Sequence, residues 1–70
     1  MKYFLLKEDP SGRLTEFMTR YRGLAEAMRA ARDFIAINPG CAYHVCMERN
    51  KPPTYCRLGT FGSIAGGVWR

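Results

Sequence analysis

Few side chains in this sequence could do chemistry alone: three thiols, Cys41, Cys46 and Cys56, and a single imidazole, His44. They are the only soft donors available for a structural zinc, and the spacing is poor for one. No closely set cysteine pair of the zinc-knuckle kind occurs, and alternation along an extended segment sends Cys41 and Cys46 to opposite sides. The expectation is no metal and three reduced thiols. An odd number of cysteines cannot all pair within one chain, which argues against a secreted disulfide scaffold. Cys46 and His44 form the one nucleophile and base combination, both leaving the same side of a strand with Glu48. A regular strand holds such neighbours too far apart for tight contact, and no oxyanion site accompanies them. The glycines between residues 59 and 67 lack a Gly-Lys-Ser/Thr ending and a strand-loop-helix setting, so they do not read as a phosphate loop. The sequence assigns no catalytic residue and no cofactor, and the chain is expected not to be an enzyme.

The arginines say more. Eight arginines and three lysines stand against six acids, giving a formal charge of +5, which admits an anionic partner, either an acidic protein surface or a nucleic acid. Arg22, Arg29 and Arg32 fall on or just ahead of the outward face of a helix, Arg20 lies close by, and Arg57 points outward from a late strand. With Trp69 in an apolar tail, these are the candidate partner-binding residues. Glu26 and Asp33 interrupt the patch at helical contact spacing, so ion pairing within the helix competes with recognition. Exposed aromatics on a sheet could instead stack on single-stranded bases, but the glycine-aromatic signature of the RNA-recognition modules is missing and the strand order differs.

The element that positions most of these groups is an amphipathic helix within residues 21–40 (YRGLAEAMRAARDFIAINPG). At about 100° per residue, Leu24, Ala27, Met28, Ala31, Phe34 and Ile35 share one arc, opposite Glu26, Arg29, Arg32 and Asp33. Gly23 serves as N-cap with Glu26 near the free amides of the first turn. Pro39 ends the helix, and Gly40 is expected to take a left-handed conformation beyond it.

Around the helix, residues 2–8 (KYFLLKE) and 13–21 (RLTEFMTRY) read as a hairpin across Asp9-Pro10-Ser11-Gly12. A four-residue loop pairs Glu8 with Arg13, Leu6 with Thr15 and Phe4 with Phe17. This puts Tyr3, Leu5, Leu14 and Met18 on one side and Phe4, Leu6, Phe17 and Tyr21 on the other. Residues 41–49 (CAYHVCMER) alternate as a third strand, with Cys41, Tyr43, Val45 and Met47 opposite Ala42, His44, Cys46 and Glu48. After the break at Asn50-Lys51-Pro52-Pro53, residues 54–60 (TYCRLGT) form a fourth strand in which Met47 faces Cys56 and Val45 faces Leu58. Cys56 is then a core thiol, and Arg57 shares a side with His44.

The predicted fold is α+β, β-β-α-β-β, a four-stranded antiparallel sheet in order 2-1-3-4 with one helix packed on one face. A β-grasp-like arrangement is the runner-up. At 70 residues the chain makes a single domain, residues 1–60, close to the size at which one core barely outweighs chain entropy. Residues 61–70 follow as an apolar, glycine-rich tail. Both sides of the first hairpin are apolar and one helix covers only one, so the other is expected to meet this tail, a second copy or a partner.

The run from residue 24 to residue 47 (LAEAMRAARDFIAINPGCAYHVCM), an alanine-rich helix, a Pro-Gly stop and an aromatic-bearing strand, resembles a segment of small phage and prophage accessory proteins. That resemblance implies a mobile-element protein, from a group that includes inhibitors of host enzymes and of bacterial immune complexes. The expected function is therefore a small non-enzymatic binding protein covering a site on a larger host protein or ribonucleoprotein complex, with a small basic nucleic-acid-binding protein as the alternative. No apolar run approaches the roughly 20 residues of a membrane span, and residues 3–6 are too short for a signal-peptide core. The expectation is a cytoplasmic protein without a membrane partner, with a homodimer among the oligomeric states allowed.

Overall fold

The structure, a computed structural model, describes residues 2–64 and 67–68, those after Gly62 by their backbone alone. Strands β1 (Tyr3–Glu8) and β2 (Leu14–Glu16) form the first hairpin, α1 (Leu24–Ile37) follows, and β3 (Ala42–Glu48), β4 (Tyr55–Ile64) and β5 (Gly67–Val68) complete the chain. The strands lie in order β2-β1-β3-β4-β5, every pair antiparallel. The expected four strands are thus adjacent in the expected order, with α1 across one face and β5 added at the end of β4. The fourth strand runs beyond Thr60 to Ile64 and contributes Phe61 to the core.

The helix begins where its N-cap signal falls. Gly23 is extended at φ −120° and ψ 148°, its carbonyl accepts the Ala27 amide at 3.2 Å, and Glu26 stands in the first turn. The helix ends at Asn38, whose amide donates to Phe34 O at 2.8 Å; Gly40 does not adopt positive φ, so the stop is made by Pro39 without a left-handed cap. The arc predicted to pack does so except at its start: Ala27 and Ala31 are fully buried against Leu5, Tyr43, Val45 and Phe61, and Met28, Phe34 and Ile35 pack at the margin, but Leu24 in the first turn stays exposed. Small residues at both buried helix positions let the backbone approach the sheet closely, and Phe34 fills the remaining space by stacking on Tyr43 (5.4 Å between centroids) and meeting Phe17 edge-on at 5.0 Å.

The first hairpin departs from its expected register by one residue. Asp9 donates its amide to Arg13 O at 3.1 Å, so the loop has three residues rather than four, and Gly12 at φ +88° supplies the left-handed position such a loop needs. Asp9 Oδ1 holds it closed, accepting from the Ser11 amide (3.0 Å), the Ser11 hydroxyl (2.6 Å) and the Arg13 amide (3.0 Å). Glu8 consequently pairs with Leu14 and Leu6 with Glu16. A one-residue slip exchanges the faces. Phe17 and Tyr21 therefore join Tyr3 and Leu5 beneath the helix, and Leu14 and Met18 are left exposed, at 53% and 82%.

The β3–β4 register also corrects an expectation. Met47 pairs with Cys56 as predicted, but a bulge follows, and Val45 pairs with Gly59 instead of Leu58. The extra residue leaves Leu58 out of the core at 41% exposure, and Cys56 is half-buried rather than central. Past the bulge the strands close tightly: Gly62 sits at φ +99°, where a Cβ would lie 2.6 Å from the Cys41 carbonyl oxygen.

Candidate functional site

Two regions outside the main core concentrate polar and charged groups. The first is the seam between α1 and β4. Leu24, Met28, Val45, Leu58, Gly59 and Phe61 line an apolar hollow of about 180 Å³, open because Leu24 and Leu58 keep 40% and 41% of their surface. The seam stays open because the bulge carries Leu58 off the position that would bury it. Arg32 sets its guanidinium carbon 5.6 Å from the ring centroid of Phe61, one of the lining residues. Arg29 lies one step further round the helix toward solvent, and Arg22 is exposed just ahead of the N-cap. Among the described residues none of Arg22, Arg29 and Arg32 makes an ion pair; Glu26 and Asp33, at contact spacing along the helix, do not engage them. All three cations are exposed, and Arg32 stands against Phe61 at the rim of the apolar depression.

The second region is the far face of the sheet, where Phe4, Leu6 and Cys46 form a small buried cluster. Phe4 is covered by the chain itself, with the Tyr55 ring edge-to-face at 5.7 Å between centroids and the Arg20 guanidinium carbon 4.5 Å from the centroid of its own ring. Arg20 is fully committed there. Its Nε donates to Glu48 at 2.9 Å, Nη2 to Glu16 at 2.8 Å, and Nη1 to the carbonyls of Phe17 (3.0 Å) and Met18 (3.4 Å). Its hydrogen bonds to Glu16 and Glu48 hold its charge more firmly than usual. The guanidinium thereby satisfies backbone oxygens where β2 leaves the ladder, before pairing resumes at the Tyr3–Tyr21 bridge.

Beside this cluster lies His44, only 2% exposed. Its Nε2 is 2.8 Å from Glu8 Oε1 and its Nδ1 2.6 Å from Thr60 Oγ1. A carboxylate only accepts, so Nε2 donates to Glu8, while the Thr60 hydroxyl can donate to or accept from Nδ1. The network ties β1, β3 and β4 together through side chains, and a hollow of about 310 Å³ lined by Leu6, Glu8, Leu14, His44, Tyr55 and Arg57 opens next to it. Arg57, as expected, stands on this side. Cys46 and His44 share the face but do not form a dyad. Both imidazole nitrogens are engaged elsewhere, the thiol's contact is a long one to His44 O (3.8 Å), and burial pushes its pKa up to about 11. Cys41 packs on the helix side, away from Cys46, and among the described residues no three His, Cys, Asp or Glu side chains converge to hold a metal.

Of the sequence-predicted binding residues, the structure brings Arg32 to the α1–β4 seam against Phe61, leaves Arg29 exposed on the helix with Arg22 at its entrance, puts Arg57 on the opposite face of β4, and sets Arg20 apart as a clasp. Trp69 lies outside the described residues. The Glu8–His44–Thr60 network was not anticipated, because without the bulge Gly59 rather than Thr60 would sit opposite His44. The one available signal was that a histidine in the middle of a central strand requires partners.

Compared with protein-family models, curated proteins and solved structures, the chain gives no match in any of the three. No helix among the described residues is long and apolar enough to cross a membrane.

Proposed function

We propose that the chain is a small non-enzymatic binding protein that covers an acidic site on a larger protein, using the face shared by α1 and β4. The observation that carries this reading is the open apolar hollow whose lining residue Phe61 carries the Arg32 guanidinium, on a helix where Arg29 and Arg32 are exposed and, among the described residues, make no ion pair. An apolar anchor ringed by directional charge suits a shaped protein surface; Glu26 and Asp33 on the same helix weaken the field toward a polyanion. The resemblance of residues 24–47 to phage accessory proteins supports placing the partner among host enzymes or immune ribonucleoprotein complexes, met in the host cytoplasm.

The test pairs two measurements. In a pull-down from bacterial lysate, the captured protein should survive nuclease treatment and be lost with the R29E/R32E double variant. Titration of the parent chain with mixed-sequence DNA and RNA near physiological ionic strength should show little binding. Tight binding that falls steeply with added salt, through counterion release, would instead assign the arginines to phosphates.

A further inference from the structure

The two edges of β4 are used very differently. Its inner edge pairs with β3 from Tyr55 to Gly62, whereas among the described residues its outer edge pairs with β5 at Ser63 and Ile64. Among the described residues no strand occupies the outer edge along residues 55–60. The Arg49 amide donates to Thr54 O at 2.8 Å; since antiparallel ladders alternate, Cys56 continues toward β3 while Tyr55 and Arg57 turn their N–H and C=O groups outward. The Arg57 carbonyl accepts a long contact from the Cys56 thiol, at 3.9 Å and in the open. The bulge at Leu58 shortens this edge without closing it.

We infer that the outer edge of β4 along residues 55–60 is a docking rail on which the partner protein lays down an extended segment, adding a strand to the sheet. This rests on the reading of the chain as a protein-binding module and specifies the form the partner takes. The sequence class follows from the two sides of the rail. On the helix side the apolar hollow beside Leu58 accepts an aliphatic or aromatic side chain; on the far side Arg57 awaits a carboxylate. Successive residues of a strand point to opposite faces, so the matching segment alternates apolar and acidic residues. A second copy of this chain suits the rail poorly: each copy carries a net charge of +5, and pairing about a two-fold through the middle of the edge brings two Arg57 side chains together.

The probe is a synthetic peptide of about eight residues alternating Glu and Val, compared with a version N-methylated at alternate positions, which keeps the side chains but removes the strand-forming amides. Binding to the full chain is followed by amide hydrogen exchange. The unmodified peptide should slow exchange at the Tyr55 and Arg57 amides by about tenfold or more, N-methylation should abolish that protection, and R57E should weaken binding. Equal binding of both peptides with unchanged exchange would overturn the rail and leave the seam reading standing. So would no binding at millimolar peptide, or a free chain that sediments as a dimer with those amides already protected. Failure of the protein-binding reading shows separately, as salt-sensitive binding of the parent to nucleic acid.

Discussion

Beneath the helix, Leu5, Tyr43, Val45 and Phe61 meet Ala27 and Ala31 with aromatic rings filling the gaps, and among the described residues no polar side chain is buried there except through its ring. On the opposite face a smaller apolar cluster, Phe4, Leu6 and Cys46, is closed by groups that carry charge or hydrogen-bonding demands: Arg20 over Phe4, and the Glu8–His44–Thr60 network beside Leu6. The first face is held by area removed from water, which is nondirectional and tolerant of small shifts. The second is held by geometry. A polar group there stabilises only while its partners remain in place, and losing one leaves the other unpaired. One sheet thus combines a face that sets its stability with a face that sets which strands may sit side by side.

Substitutions can separate these roles. The largest effect belongs to the helix side: Leu5→Ala, at a fully buried position, should cost about 2–5 kcal/mol in urea denaturation, a large part of the total for so small a domain. On the far side, His44→Leu should cost about 1–3 kcal/mol by stranding Glu8 and Thr60. Adding Thr60→Val should then cost less than it does alone, and strictly additive losses would show the network to be three independent groups. Cys46 provides a pH test on the same face. Its folded pKa, raised from the ordinary 9.0 to about 11 by burial, means that the neutral thiol favours the fold, a contribution complete below pH 9.0 and lost as pH rises toward about 11. Unfolding measured across that window should show falling stability, on the order of 2 kcal/mol, and below it iodoacetamide should modify Cys41 and Cys56 well before Cys46. The smallest change is expected for Arg20→Met, about 0.5 kcal/mol because both of its acids are partly exposed, and added salt should narrow the gap from the parent.

These contrasts also mark how far the sequence could be read. The helix was legible from its arc, Gly23 and Pro39, and the strand order followed from connection lengths and the antiparallel return. The alternation of β3 correctly separated Tyr43 and Val45 from His44 and Cys46. What failed was register, which depends on counts of one. Asp9 closing its loop at Arg13 moved Phe17 and Tyr21 to the helix side, and a bulge opposite Val45 moved Leu58 outward and brought Thr60 to His44. Neither event alters composition or periodicity enough to be seen beforehand. The candidate seam was therefore half legible: its arginines came from the helix pattern, but its open hollow is a product of the bulge. Arg20 was expected to serve recognition, since nothing in the spacing revealed that Glu48, far along the chain, would reach it.

Gly12 and Gly62 both sit at positive φ, yet they differ in what surrounds them. Nothing lies within 4 Å of a Cβ added at Gly12, whereas at Gly62 it would collide with backbone at the entrance to β3. In a saturation mutagenesis map the two should look unlike each other. Position 12 should accept asparagine or aspartate, residues that visit left-handed conformations at little cost. Position 62 should accept no replacement, since even alanine needs the two strands to part where the helix hands the chain back to the sheet. A diverging lineage could therefore rewrite the loops and most of the surface while this one site stayed closed to change.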